Sequence, residues 1–223
     1  MELGAKLVHG GDEKHILYIA RVSSNQDNAD PSLLGYLIRN GHWSPFEMVG
    51  ACVEINTTRD IGRQILRHRS FSFQEFSGRY ATYNDLVVDR DIRFKGTTNR
   101  QASRPAQSEF EKSAAGYFKE ELKRLSEDTL EVYNAMIGDG VAAECARAIL
   151  PEGLVPTRIY MNGTLRSWLH YIRERRKPDA KTGVILAQRE HYDIAGQIRD
   201  ALAEVYPVTF EALSQINYFE EVQ

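Results

Sequence analysis

Cysteine is nearly absent from this chain: Cys52 and Cys145 are the only two in 223 residues, and neither belongs to a Cys-x-x-Cys pair. Two thiols without a pairing pattern exclude a disulfide framework and fit a reducing compartment. Long apolar runs are also missing, since none approaches the ~20 residues that a membrane span needs. The N-terminus lacks a basic region followed by an apolar run, so no signal peptide is expected and the expected location is the cytoplasm. Strong charge of one sign is absent as well. A net charge of −3 argues against a general nucleic-acid binder. The six histidines form neither His-x-x-x-His nor His-Glu-x-x-His, so no metal site is expected. There is no internal repeat and no low-complexity segment.

What is present is charge of uneven distribution. Residues 59–104 hold ten Arg or Lys against five acids, and 158–189 hold eight against two, whereas 190–223 hold one against seven. Two separate basic segments suit anionic small molecules bound between them. With 42% hydrophobic and 26% charged residues, the chain has the composition of a globular protein. Its length supports a single domain over 1–223 with one sizeable core.

Periodicity gives an order of elements. Lys6–His9 reads as a strand closed by Gly10-Gly11, after which Asp12 caps a helix carrying Ile16, Ile19 and Ala20. Asp30-Pro31 starts a helix with Leu33, Leu34, Leu37 and Ile38 as its stripe, ended before Gly41. Residues 41–47 are too polar and Pro-broken for an element. Met48–Asn56 alternates Val49, Ala51, Val53 and Ile55, a strand with one buried face. Thr58 caps a helix from Arg59 to about Arg67. Residues 81–106 lose periodicity and read as a long surface excursion. Residues 107–137 are the longest periodic stretch, a core helix, either continuous or broken once, with Phe110, Ala114, Tyr117, Leu125, Tyr133 and Met136 near helical spacing. Gly138–Ala143 spells G-x-G-x-x-A but follows a helix, so the dinucleotide-binding geometry is absent. It reads instead as a C-cap before a helix from Val141 to Ile149, stopped by Pro151. Thr157–Met161 is a strand, Asn162–Thr164 a turn, and Leu165 to about Arg176 a helix. Gln188–Val205 is a final amphipathic helix, with a short one after Pro207. Strands separated by helices of unequal length predict an α+β fold: an antiparallel sheet flanked by helices, with long helices as a second layer.

The densest chemistry lies in Arg67–Tyr80. Neighbours on a continuing helix diverge by roughly 100°, so Arg67, His68 and Arg69 fit a helix end, fanning out around a phosphate-bearing ligand. If 71–79 is extended, Glu75, Ser77 and Arg79 share one face and offer an acceptor, a hydroxyl and a planar fork of donors. Arg-His-Arg, seven residues, then Ser77-Gly78-Arg79-Tyr80 resembles the signature of the flavin-dependent thymidylate synthases. Gly41-His42-Trp43-Ser44-Pro45-Phe46-Glu47 and Ala146-Arg147-Ala148-Ile149-Leu150-Pro151 are similar to two further blocks of that family. The resemblance runs through nearly the whole chain. Gln74 stands where the family often has Asn, and Met48 where it often has a second His. The link from Arg176 to Leu186 is about seven residues longer than usual.

The resemblance implies reductive methylation of dUMP, with methylenetetrahydrofolate as carbon donor and FAD reduced by NADPH as hydride carrier. It implies a homotetramer with sites at subunit interfaces. It places dUMP on Gln64, Ile65, Leu66, Arg67, Glu75, Phe76, Ser77, Gly78, Arg79, Arg147 and Arg175, with Arg175 catalytic. The longer link leaves Arg176 as the other candidate for that role. It places FAD on His42, Ser44, Arg67, His68, Arg69, Glu75, Thr164, Leu165, Arg166 and His170. Arg166 and His170 are also i, i+4 neighbours on one helix face, a stripe that Arg173 continues. His42 taken alone reads equally as a buried structural imidazole.

The reaction that the resemblance implies limits what each residue can do. No side chain supplies a hydride, so a redox cofactor must. Arginine stays protonated, so its role at a developing enolate is electrostatic. Cys52 sits mid-strand and Cys145 in an apolar-flanked helix, which reads as buried structural cysteine rather than a nucleophile. The alternative from another class is a non-enzymatic nucleotide- or RNA-binding module, with steep salt dependence and no chromophore.

Overall fold

Alternating apolar positions build the sheet, and helices with one apolar stripe cover it. The computed structural model describes residues 1–22, 30–97, 101–179, 181 and 183–219. Strand β1 (Gly4–Gly10) leads into helices α1 (Lys14–Ala20) and α2 (Ser32–Arg39), then a 3₁₀ turn at Ser44–Glu47. Strand β2 (Gly50–Thr58), helix α3 (Arg59–Ile65) and strand β3 (Ser72–Glu75) follow. A short hairpin, β4 (Phe94–Lys95) and β5 (Ser103–Arg104), precedes the 30-residue helix α4 (Glu109–Gly138). Then come α5 (Ala143–Ala146), a 3₁₀ turn at Arg147–Ile149, β6 (Pro156–Thr164), α6 (Leu165–Arg176), α7 (Arg189–Val205) and α8 (Pro207–Gln215). The fold is α+β, with an antiparallel sheet of four strands in the order β1-β2-β6-β3. No helix among the described residues is long and apolar enough to cross a membrane.

The chain divides into two compact units. One comprises Met1–Glu2, Asn56–Ile65 and Glu75–Arg158; the other, Leu3–Ile55, Leu66–Gln74 and Ile159–Gln223. In the second, α7 lies on β1 and α6 packs on α7. Its core includes Val53, Ile55, Ile159, Met161, Trp168 and Leu169, all fully buried. Trp168 Nε1 donates to the Ala51 carbonyl at 3.0 Å, and Phe71 meets the Trp168 ring edge-on at 4.7 Å. The first unit has a smaller core of Tyr83, Tyr133, Ala146 and Val155, with the Tyr83 amide donating to the Tyr133 hydroxyl.

Several local expectations need correction. Residues 41–47 are not featureless, because Pro45 presets φ for the 3₁₀ turn and Phe46 beneath it is fully buried. Helix α3 stops at Ile65, so Arg67 lies in the turn after it. Extended structure ends at Glu75. The Tyr80 amide donates to the Ser77 carbonyl in a tight turn, so Arg79 is not on a shared strand face with Glu75 and Ser77. The 81–106 excursion carries the β4–β5 hairpin and buries Tyr83 and Ala102. The segment Asn162–Thr164 is the end of β6, not a turn. The helix expected over Val141–Ile149 is one turn of α5 and one 3₁₀ turn. Helix α4 is unbroken but is not a core helix, since it buries only Ser126 and Tyr133. Phe110 is 79% exposed, Tyr117 62% and Leu125 52%. Cys145 is exposed and Cys52 half-buried, so neither is the buried core thiol expected.

Candidate active site

Helix α6 organises the second unit's site. Thr164 caps it, accepting from the Ser167 amide at 3.2 Å, and Leu165, Trp168, Leu169, Tyr171 and Ile172 anchor its buried face. Arg173, Arg175 and Arg176 fill its last turn, where cations complement the carbonyl end of the helix dipole. On the opposite face Arg166, Ser167 and His170 form one wall of a cavity of about 360 Å³, completed by Trp43, Glu47, Ser70 and Tyr218. Glu47 accepts from the Thr164 hydroxyl at 2.7 Å and from the Arg166 guanidinium. Arg166, then Thr164, holds its carboxyl below the usual range. Arg166 is thereby aimed along the cavity wall. The guanidinium, the imidazole and two aromatic rings suit one end of a phosphate-bearing, ring-containing ligand, at the small end of the roughly 300–1,000 Å³ usual for such sites.

One turn further, Arg175 donates to His68 Nε2 from Nε at 3.2 Å and from Nη2 at 2.8 Å. Arginine has no acceptor, so Nε2 must accept, and His68 is neutral with its proton on Nδ1. Burial first, then the charges of Arg175, His170 and Arg67, pulls the His68 pKa down to about 4. Behind His68, Tyr171 meets the imidazole edge-on at 4.9 Å, and the Tyr171 hydroxyl lies 2.9 Å from His191 Nε2. Both are fully buried; burial pushes the phenol pKa up and, ahead of Arg175, His68 and Arg67, holds His191 at about 3. A neutral base backed by buried rings thus fixes a permanent cation. Arg176 points elsewhere: its guanidinium covers the Tyr192 ring at 4.2 Å and donates to the Tyr192 carbonyl. It is committed to packing α6 against α7.

Other residues named for the flavin behave less uniformly. Arg67 and Arg69 are exposed in the turn after α3, and Leu66 is half-buried. His42 is exposed and stacked on Tyr36 at 6.1 Å, so it is no buried structural imidazole. Neither His42 nor Ser44 lines the cavity. The Leu165 side chain is fully buried and its amide donates to the Val49 carbonyl.

The first unit holds most of the residues named for the nucleotide. Glu75 accepts from the Thr157 hydroxyl at 2.8 Å, and the Phe76 amide donates to the Arg158 carbonyl. Phe76 packs edge-on against Tyr83 at 5.6 Å. A Cβ on Gly78 would fall 2.5 Å from the Tyr83 hydroxyl, so only glycine fits this turn. Arg79 pairs with Glu144 at 3.2 Å, which ties the turn to α5; Arg147 follows in the adjoining 3₁₀ turn, half-buried. Gln64 is half-buried at the end of α3, and the Ile65 side chain is fully buried, leaving only its backbone for a ligand. Sequence reasoning missed Glu47, Ser70, Tyr171, His191 and Tyr218. The Glu47 signal was visible as the only acid of its segment; Tyr218 lay in an acidic tail with no motif.

The α6 arginines, fixed by Glu47 and His68, offer donors suited to a phosphate-bearing ligand. The comparisons narrow this. Residues 6–208 match the sequence model of the family described as "Thymidylate synthase complementing protein". The chain is 40% identical over 208 residues to the probable flavin-dependent thymidylate synthase of Paramecium bursaria Chlorella virus 1, covering 92% of this chain and 91% of that one. It is 43% identical over 200 residues to the flavin-dependent thymidylate synthase of Synechocystis sp., covering 89% and 87%. Among solved structures it is similar to the UMP/dUMP methylase PolB from Streptomyces cacaoi bound with 5-Br dUMP. That match has a TM-score of 0.79 and 26% identity, covering 96% and 95%. The chain belongs to the flavin-dependent thymidylate synthase family and is an enzyme of the methyltransferase class. The non-enzymatic module is thereby set aside.

Proposed function

We propose that this enzyme converts dUMP to dTMP by reductive methylation, with 5,10-methylenetetrahydrofolate as carbon donor, NADPH as reductant, FAD as hydride carrier and no cysteine nucleophile. Bound FAD would supply the hydride that no side chain can. The observation that carries this reading is Arg175 held by a neutral His68. A fixed guanidinium stabilises negative charge developing on a pyrimidine without reorganising, and it cannot take up or release a proton. Arg147 and the Glu75–Arg79 turn orient the nucleotide, with Gln64, Leu66, Arg67 and the Ile65 backbone around its phosphate. Arg166, His170, His68, Arg69 and the Thr164 segment hold FAD, and His42 and Ser44 flank it. The donor set fits that group: a cavity with cationic donors beside Trp43 and Tyr218 matches a pyrophosphate next to a planar ring.

The reading without a cysteine nucleophile is supported by burial, which disfavours the Cys52 thiolate, and by the cavity lining, which includes neither Cys52 nor Cys145. The whole of 1–223 acts as one functional domain in a cytoplasmic homotetramer with sites at subunit interfaces. The exposed Phe110, Tyr117 and Leu125 on α4 support assembly, since large apolar side chains at such exposure suit a partner surface. The purified protein is expected to be yellow, to bleach with NADPH, and to release the C5 hydrogen of dUMP only with methylenetetrahydrofolate present. Colourless protein that cannot be reconstituted with FAD would overturn the reading.

A further inference from the structure

Tyr218 lies beyond the family match, which ends at Val208, yet it lines the same cavity as Arg166 and His170. The chain reaches it by an unusual route. Asn217 has φ +50°, the only non-glycine residue with positive φ among the described residues. That left-handed conformation costs free energy in most residues and is tolerated by asparagine. The turn is pinned to the end of α8: the Asn217 amide donates to the Ser214 carbonyl at 3.0 Å, and the Tyr218 amide to the Leu213 carbonyl at 3.1 Å. Its ring packs against Trp43 at 5.4 Å, tilted by 48°, and the Arg173 guanidinium sits 4.7 Å from its centroid. Arg173, third member of the Arg166–His170–Arg173 stripe, is therefore occupied by the ring, while Arg166 and His170 remain on the cavity wall. Phe219 meets the same ring edge-on at 5.2 Å, and Tyr218 also borders a second cavity of about 520 Å³ beside α7 and α8.

We propose that Tyr218 is a cofactor-binding residue whose ring, braced by Trp43 and Arg173, forms the wall on which a planar heteroaromatic ring of FAD lies, while Arg166 and His170 face the adjoining phosphates. This rests on the flavin reading above. Either end of FAD offers the required chemistry, and separate ligands distinguish them.

The test is titration of FAD-stripped protein with FAD, FMN and ADP, by flavin fluorescence for the first two and calorimetry for the third. Tyr218→Ala is expected to weaken FAD about five- to 150-fold, the range for loss of a ring stacked on an aromatic side chain. It should weaken FMN or ADP similarly, whichever carries the stacked ring. Tyr218→Phe should stay within about twofold of the unaltered protein. Tyr218→Leu, which fills the volume without a π-face, should bind as poorly as Tyr218→Ala while melting like the unaltered protein. FAD affinity within twofold in both Tyr218→Ala and Tyr218→Leu overturns the proposal and leaves the flavin reading intact. Loss in Tyr218→Ala alone also overturns it, by assigning the residue a packing role. Unaltered protein that binds no FAD overturns both.

Discussion

Helices α4 and α6 form for different reasons, and the difference explains why one leaves its apolar residues outward and the other fixes its polar ones. Helix α4 is held largely by local rules. Ser108 and Glu111 make a reciprocal capping box, and Arg104 grips Glu111 with two donors at 2.7 and 2.9 Å. Lys112–Glu109 and Arg124–Glu121 add exposed ion pairs of small value. Helix α6 is less than half as long but sinks five large side chains into the core. Burial fixes its rotation, so Arg166, His170 and Arg175 are aimed. A helix stabilised by its own ends and surface pairs can leave its apolar residues outward; a helix whose orientation rests on burial cannot.

Truncation should break the comparison most visibly. Trp168→Ala removes a fully buried ring and is expected to cost about 3–5 kcal/mol in urea unfolding. Tyr117→Ala on α4 should stay within about 0.5 kcal/mol for the dissociated chain, and any larger effect should appear in sedimentation as loss of assembly. Equal losses from the two would erase the distinction drawn between the helices.

Next in size is the contrast between adjacent arginines. Arg175→Ala should lower kcat/KM about ten- to hundredfold, or about 1.5–3 kcal/mol for a charge-assisted contact, with the flavin absorbance retained. Arg175→Lys should rescue poorly, because an ammonium cannot present two fixed donors to His68. Arg176→Ala should instead cost about 0.5–2 kcal/mol of stability through its lost stacking on Tyr192, with the nucleotide Kd unchanged. A nucleotide defect confined to Arg176→Ala would transfer the role by one residue.

Acid sharpens the contrast further. His68 and His191 titrate near 4 and near 3 when folded, below the ordinary value of 6.5. The unfolded chain therefore takes up protons first, so their stabilisation is complete above pH 6.5 and is lost as pH falls through 4 and 3. His191→Gln should flatten the urea midpoint across that window. A midpoint just as steep in the variant would remove His191 from the account. The smallest effect is reserved for the thiols: Cys145→Ala should change neither stability nor turnover. Cys52→Ala should lose at most a packing increment and keep turnover per folded molecule.

Much of this was legible in the sequence. The alternation of Val49, Ala51, Val53 and Ile55 predicts β2, and the Arg166–His170 spacing predicts a shared helix face, because both depend on local geometry alone. The Arg-His-Arg run predicts a helix end, and the helix does end just before it. What failed was whatever required a distant partner. Periodicity could not tell that the apolar residues of α4 face outward, since an amphipathic stripe carries no record of what covers it. The pairing of Arg175 with His68 joins residues 107 positions apart, and the Tyr171–His191 support joins residues of two successive helices 20 positions apart. Tyr218 was hidden because one aromatic side chain in an acidic tail has no period at all.

The strand-to-helix junction at Thr164 has a mechanical consequence. Thr164 closes β6 and caps α6, with no connecting residue between them. The Leu165 amide is fastened to the Val49 carbonyl, and a Cβ on Gly50 would come within 2.6 Å of the Gly163 carbonyl oxygen. The joint therefore has no slack. Inserting or deleting one residue there would turn α6 by about 100° relative to the sheet, or reverse the faces of β6. Either change would swing Arg166, His170 and Arg175 off their bearings together. Length change at this joint is therefore all-or-none.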